Sequence, residues 1–381
     1  MRVGIEAQRV FRTHKHGMDF VALELIHQLS AIDKVNEYFI FTNDGEDKDC
    51  LKVGSNFSLI TQAASYPIWE QRLLPKWASE YKLDILHCTS NTAPIKCPVP
   101  LVVTIHDLIY FEKNPLFAKG YTPYQRFGNV YRRLVVRKLL HSADRIITVS
   151  EFEKKRFLKM FNYLTDKDVK VVYNGVGAHF RPDISAERKE EIRKKYNLPD
   201  KYILFLGNTD PKKNTKRTLE AWARSADEGL HNLPLVVGDL NKEAVADTLR
   251  KQGLGKWAER VHFPGYIHNQ ELPAIIASAD LFLYPSKRES FGIPVLEGMA
   301  CGTPVITSNV TSMPEVGADA AFYVDPLDVK SIVDAIGRVL SDEQLQKELR
   351  EKGIKRAAEF NWKHSAEMAL DVYKELHRAK V

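Results

Sequence analysis

Residues Tyr284–Pro304 read YPSKRESFGIPVLEGMACGTP. The stretch begins as the apolar run Leu281–Tyr284 ends, a run short enough and apolar enough to be a buried strand. A polar loop leads to Gly292-Ile293-Pro294. Proline suits the first turn of a helix, where its missing N–H would be unpaired anyway. The pattern therefore predicts a helix over Val295–Ala300, ended by Gly302. A loop that runs into a helix start offers backbone N–H groups and the positive end of a dipole, which together suit a phosphate. Glu289 stands before this turn and Glu297 about one helical turn inside it. A carboxylate accepts hydrogen bonds from both hydroxyls of a vicinal diol, so either acid can grip a sugar or a ribose. In isolation the two would be a solvated loop acid and a helix-surface acid. Flanking a Gly-Pro helix start at the end of a buried strand, they point to a binding site.

The surrounding chain repeats the same theme. Val3–Ala7, Tyr38–Thr42, Ile85–Cys88, Leu101–Ile105, Arg145–Val149 and Val169–Tyr173 are short, Val- and Ile-rich runs bounded by turn residues. Helical stretches such as Asp19–Ile32 and Phe127–His141 lie between them. The alternation pauses over Asn174–Asp200, which holds a charged helical stretch, Glu187–Lys195. It resumes with Tyr202–Leu206, Leu235–Val237, Arg260–Phe263, Leu281–Tyr284, Val305–Ser308 and Ala321–Val324. Such alternation predicts parallel sheets covered on both faces. A boundary near Tyr173–Gly175 gives two doubly wound, Rossmann-like α/β domains, 1–174 and 175–381. Ligands of such sheets bind outside the carboxyl ends of the strands, and two facing domains would hold one between them. The tail Ser341–Lys380 is helical in pattern. Periodicity leaves open whether it stays with the second domain or crosses back to the first.

The quoted segment resembles the E-x7-E signature of retaining glycosyltransferases of family 4, which have the GT-B fold. TPVITSNVTSMPEVGADAAFYVDP after it and FNWKHSAEMALDVYKEL near the C-terminus resemble the continuation of the same family. The resemblance implies that Glu289 contacts hydroxyls of the donor sugar and that Glu297 binds the ribose of a nucleotide. It sets the backbone of Ser290, Phe291, Gly292 and Ile293 against sugar and phosphate. The family also carries a basic pair after the first strand of this domain. Here Gly207-Asn-Thr-Asp-Pro-Lys-Lys-Asn214 follows Tyr202–Leu206. Lys213 matches the second basic residue, while Asn208 stands where Arg is usual, and Lys212 adds charge beside it. Asn donates a hydrogen bond without charge, so affinity for a diphosphate leans on Lys213. Phe263-Pro-Gly-Tyr266-Ile267 resembles the segment whose backbone borders the base.

In the first half, Gly17 matches the second of two adjacent glycines in the family's loop after the first strand, and His16 replaces the first. A glycine there lets the chain approach a phosphate closely. The strand Leu101–Ile105 ends in His106-Asp107. The family has a His at this strand end, near the donor sugar and the reaction centre. Asp107 either orients the imidazole or caps the next segment.

Composition is that of a soluble globular chain: 44% hydrophobic, 27% charged, with a mild net charge of +6. Four cysteines, none in C-x-x-C spacing, suit a reducing cytosol. No signal-peptide or membrane-spanning run is evident. Asp47-Lys-Asp49 spells the D-x-D of metal-dependent sugar transferases, but it lies in a charged stretch without a strand-end glycine, so no metal or other cofactor is expected. Nucleic acid is not expected, since no aromatic-basic interleaving marks a strand-binding face. Around Phe127–His141, Arg126, Arg132, Arg133, Arg137 and Lys138 surround an apolar stripe of Tyr131, Leu134, Val135 and Leu139. This pattern fits a core-facing helix, or peripheral contact with the inner face of a membrane. The expected reaction is a metal-independent, retaining transfer of a hexose. The donor would be a nucleotide diphospho-sugar, with GDP-mannose favoured. The acceptor would be a saccharide or lipid-linked saccharide, in surface polysaccharide synthesis. An epimerase on the same fold, or a nucleotide-sugar binder without activity, are the competing readings.

Overall fold

The computed structural model describes residues 1–15, 17–112 and 123–379. His16 lies outside them. The chain forms two compact units. The first comprises Met1–Asn174 and Trp362–Val381, and the second Gly175–Asn361.

The first unit holds seven parallel strands: β1 (Arg2–Glu6), β2 (Glu37–Thr42), β3 (Phe57–Thr61), β4 (Ile85–Cys88), β5 (Leu101–Thr104), β6 (Arg145–Thr148) and β7 (Val169–Val171), in the order β3-β2-β1-β4-β5-β6-β7. Side chains alternate across the sheet, as the period of two requires. Tyr38 and Ile40 join the core that Ile26 and Leu29 cover, while Phe39 and Phe41 join the core built around Trp69 and Trp77. Burial on both faces explains why β1, β2, β4, β5 and β6 are legible as apolar runs. β3 is an edge strand with only Phe57 buried, and its sequence, FSLIT, carries no such run.

The second unit repeats the plan with β8 (Ile203–Leu206), β9 (Leu235–Gly238), β10 (Val261–His262), β11 (Leu281–Tyr284), β12 (Val305–Ser308) and β13 (Phe322–Val324), ordered β10-β9-β8-β11-β12-β13 and parallel throughout. Strand order reverses between β1 and β4 in the first sheet and between β8 and β11 in the second. Neighbouring loops diverge there, and the crevice outside the carboxyl ends is where such sheets hold ligands.

The tail divides: of the two placements that the helical pattern leaves open, its last helix takes the one that crosses back to the first unit, so the second unit ends at Asn361 rather than at residue 381. The helix Glu343–Ala358 stays with the second unit, but Trp362–Arg378 packs on the first. That last helix buries Trp362, Ala366, Ala369, Leu370, Val372, Tyr373 and Leu376. Several of these join Ile5, Ile26 and Leu29 in one core, so apolar burial decides the helix's allegiance. The apolar stripe expected along Phe127–His141 also needs correction. The helix runs Pro123–Ser142 and buries Val135 and Leu139, whereas Leu134 faces water.

Candidate functional site

In the second unit the loops after β8 and β11 are tied together before any ligand is considered. The turn Pro211–Lys213 is capped by Asp210, whose carboxylate accepts from Lys212 N at 3.0 Å. Asn214 follows in the left-handed region, with φ of 61°. Its amide donates to Pro285 O at 3.0 Å and Pro326 O at 2.6 Å. Lys287 N donates to Lys212 O at 2.8 Å, a further link between the two loops.

These ties bring Lys213 to Glu289. Lys213 Nζ lies 2.8 Å from Glu289 Oε1, with the two side chains only 16% and 12% exposed. Tyr284, buried at the end of β11, donates to the same Oε1 at 3.0 Å and accepts from Lys213. A carboxylate with two donors on one oxygen is held in a single orientation, and a charge-assisted bond in a sheltered place is stronger than one in water. Burial and the neighbouring Glu289 carboxylate both push the Tyr284 hydroxyl well above its ordinary range, so it remains a donor.

The helix after this loop runs Ile293–Ala300, two residues earlier than expected at its start. Gly292 is its N-cap, with φ of 108°, and no side chain caps it. A Cβ added there would lie 2.2 Å from Met313 Cε, so the conformation calls for glycine and a side chain would also have to displace the Met313 methyl. Ser312 Oγ donates to Glu289 O at 3.1 Å and Phe291 O at 2.9 Å, and Thr311 Oγ1 accepts from Glu289 N at 3.3 Å. The backbone of the loop is thus pinned from β12's side. Phe291 is buried and Ser290 half-buried. Glu297 is half-buried one turn inside the helix. Desolvation raises its carboxyl to about 7, against the opposing pull of the Lys213 charge.

Other expected residues stand apart from this cluster. Asn208 Oδ1 accepts from Asp210 N at 2.9 Å, so its side chain shapes its own turn. Lys212 faces Asp210 at 3.5 Å rather than Glu289. Exposed Tyr266 packs edge-on against His268, and half-buried Ile267 follows it. Both come after β10 at the edge of the sheet, two strands from β8.

In the first unit, His106 follows β5 and is buried. Its backbone N donates to Asn91 Oδ1 at 2.6 Å, and its Nε2 lies 3.0 Å from Thr89 O. A carbonyl only accepts, so Nε2 carries the proton and Nδ1 keeps its lone pair. Burial lowers the imidazole's pKa, which favours this neutral form. Asp107 spends its carboxylate on Ile109 N at 3.0 Å, in the capping role. Gly17 opens the helix Gly17–Ile32, and a Cβ added there would meet nothing within 4 Å. Among the described residues, none crowds this helix start. Asp47 of the D-x-D pairs with Lys15.

Asn214, Tyr284, Thr311 and Ser312 were not foreseen as members of the site. Their signal is weak because each acts through a loop distant in sequence. Only the left-handed Asn214 beside the basic pair had a local cue, since Asn tolerates that conformation.

Comparison with known proteins gives the family and the fold. Residues 188–356 match the family described as glycosyl transferases group 1, and residues 16–179 match Glycosyltransferase Family 4. O-antigen chain mannosyltransferase B of Escherichia coli is 30% identical over 362 residues, covering 92% of this chain and 90% of that protein. A glycosyltransferase from Rickettsia africae superposes with a TM-score of 0.74 at 17% identity, covering 98% of each chain. Anabaena Alr3699/HepE, solved with UDP and glucose, gives a TM-score of 0.74 at 16% identity, over 98% of this chain and 100% of that one. The structural likenesses establish the GT-B fold.

Proposed function

Because the chain belongs to glycosyltransferase family 4, we propose that this enzyme moves a hexose, with retention of configuration, from a nucleotide diphospho-sugar to a hydroxyl of a saccharide or lipid-linked saccharide. The observation that carries this reading is the Lys213–Glu289 pair, 2.8 Å apart where the strand order of the second sheet reverses. The pair offers one cation for a diphosphate and one carboxylate for sugar hydroxyls, beside a helix start without a side-chain cap. Mannose from GDP-mannose is the favoured donor, supported by the likeness to an O-antigen mannosyltransferase.

In the proposed reaction the bond between the anomeric carbon and the diphosphate oxygen breaks. The acceptor oxygen bonds to that carbon, and its proton passes to the departing diphosphate. Negative charge grows on the leaving group, where Lys213 and the N-terminus of Ile293–Ala300 stabilise it most. No metal is called on. Glu289 orients the sugar, and Glu297 accepts from the ribose hydroxyls. His106 accepts a hydroxyl through Nδ1, a role supported by the proton held on Nε2.

The test is transfer from a panel of nucleotide sugars, with binding followed by thermal shift. Glu289→Ala is expected to stay folded and lose at least about 100-fold in turnover, the scale of a lost transition-state contact. Lys213→Ala is expected to weaken donor binding by roughly 10–100-fold, the worth of a charge-assisted hydrogen bond. Near-wild-type turnover by folded Glu289→Ala overturns the assignment.

A further inference from the structure

Glu70 is a buried carboxylate that neither the fold nor the proposed reaction accounts for. It is 2% exposed and lies in Trp69–Leu73, a single π-helical turn. Turns of this kind are rare and recur at functional sites. Its Oε1 accepts from Tyr131 Oη at 2.8 Å and from Gln71 Nε2 at 2.6 Å, and its Oε2 accepts from Thr92 Oγ1. All three donors are neutral, and the neighbouring charge is a second buried carboxylate, Glu6. A carboxylate buried without a cation is costly, so packing alone gives no reason for it.

What the carboxylate holds is the loop after β4. Residues 89–93 are buried and belong to no helix or strand, so their polar groups depend on partners outside any ladder. The Thr92 hydroxyl donates to Glu70 and therefore accepts from Tyr66 Oη. Beside it, Gln71 Nε2 donates to Ala93 O at 3.2 Å, and Gln71 Oε1 accepts from Ile95 N at 3.1 Å. The same loop holds His106. Asn91, in the left-handed region with φ of 68°, accepts from His106 N, and Thr89 O accepts from His106 Nε2. Asn91 and Thr92 are adjacent in the chain, so one planar peptide joins the two sets of contacts.

We propose that Glu70 is a positioning residue for His106. Through Thr92 it fixes the loop that grips the imidazole by its Nε2–H, and so aims Nδ1 at a substrate hydroxyl. The free nitrogen of an imidazole is only as well placed as the partner that bonds the other one. The inference rests on the role given to His106 in the proposed reaction.

The experiment reads the ring directly, by nitrogen NMR of the full chain carrying isotope-labelled histidine, with His106→Gln to assign the signals. The wild type is expected to show a neutral ring with its proton on Nε2. Thr92→Val removes the hydroxyl at nearly constant shape and is expected to shift and broaden the His106 signals. Glu70→Gln, which turns an amide donor toward Thr92, is expected to do the same. Thr92→Ser restores the hydroxyl and is expected to restore the signals. Tyr38→Phe is the control. Tyr38 donates to the buried Asp33 carboxylate at 2.7 Å, so this variant also takes a hydroxyl from a buried carboxylate of the first unit. It is expected to leave His106 unchanged. Wild-type His106 signals in folded Thr92→Val and Glu70→Gln overturn the proposal. So does an equal response to Tyr38→Phe, which would mark general loosening.

Turnover of GDP-mannose separates this inference from the reading beneath it. Thr92→Val is expected to lower kcat by about 10–100-fold, the scale of a misplaced reacting group, with little change in donor KM. Added to His106→Gln, it is expected to lower kcat no further, because both act through one imidazole. Losses that multiply in full overturn the positioning role while leaving that of His106 intact. Wild-type turnover by His106→Gln overturns the role of His106 itself, and the positioning role with it.

Discussion

Glu297 is a carboxyl of the candidate donor site whose chemistry responds directly to pH. Desolvation raises its carboxyl to about 7, so near neutrality it sits between a neutral acid and an acceptor-only carboxylate. A ribose diol donates two hydrogen bonds, and only the ionised form accepts both. Donor affinity is therefore expected to strengthen by up to about tenfold between about pH 6 and about pH 8, and to lose that dependence in Glu297→Gln. Stability runs the other way. The folded state holds this proton more tightly than the unfolded chain, so the group's contribution falls as pH rises from the ordinary carboxylate range through the folded value, then levels off. Glu297→Gln is accordingly expected to gain stability over the wild type above neutrality and little in acid. Calorimetric titration of the donor and melting curves across pH check the two halves. A wild-type affinity that stays flat with pH would remove the role given to this carboxylate.

At the scale of elements, the loop from β11 into Ile293–Ala300 is over-determined by Gly292. An alanine there would hold φ of 108° against its own Cβ and press 2.2 Å from Met313 Cε. Met313 is fully buried, and its terminal methyl must shift to make room. Gly292→Ala is expected to cost about 2–3 kcal/mol, of the order that a non-glycine residue in such a conformation stores. In the double variant with Met313→Ala the clash disappears and the backbone strain stays, so the pair is expected to be less destabilised than the sum of the singles. Denaturant titration of the four proteins measures the coupling, and strict additivity would contradict it. The sequence announced this element because Gly, Pro and a flanking acid are local cues. It did not announce that Lys213 meets Glu289 across 76 residues, because that contact depends on β8 and β11 being neighbours. Strand order is a property of the sheet, and no local pattern encodes it. β3 stayed hidden for a different reason: an edge strand with one buried residue needs no apolar run. Leu134 was misplaced into the core stripe because helical spacing cannot tell which of two apolar arcs faces the sheet.

At the scale of the whole molecule, the chain leaves the first unit at Asn174 and returns at Trp362. The first unit is thus completed by the last segment of the sequence. The returning helix is anchored by more than apolar burial. Tyr373 Oη lies 2.6 Å from His87 Nδ1, and His87 Nε2 lies 2.7 Å from Thr104 Oγ1, which chains the helix to β4 and β5. Ser365 Oγ donates to Tyr173 O at 2.6 Å, and Arg145 meets Glu375 at 2.8 Å. Burial lowers His87 to a pKa of about 3, so its ring is neutral and relies on these two hydroxyls for partners. Tyr373→Ala removes a fully buried ring and leaves His87 Nδ1 without its hydroxyl. The expected loss is about 3–5 kcal/mol, the range for deleting a large aromatic from a core. Tyr373→Phe keeps the ring and is expected to lose only about 1–3 kcal/mol, the cost of an unsatisfied buried polar atom. Hydrogen exchange read by mass spectrometry separates the units. Protection at Val3–Ile5 and Leu86–Cys88 is expected to fall in Tyr373→Ala, while protection at Ile203–Leu206 holds. Equal loss in both sheets would mean that the returning helix stabilises the whole chain rather than the unit whose core it completes.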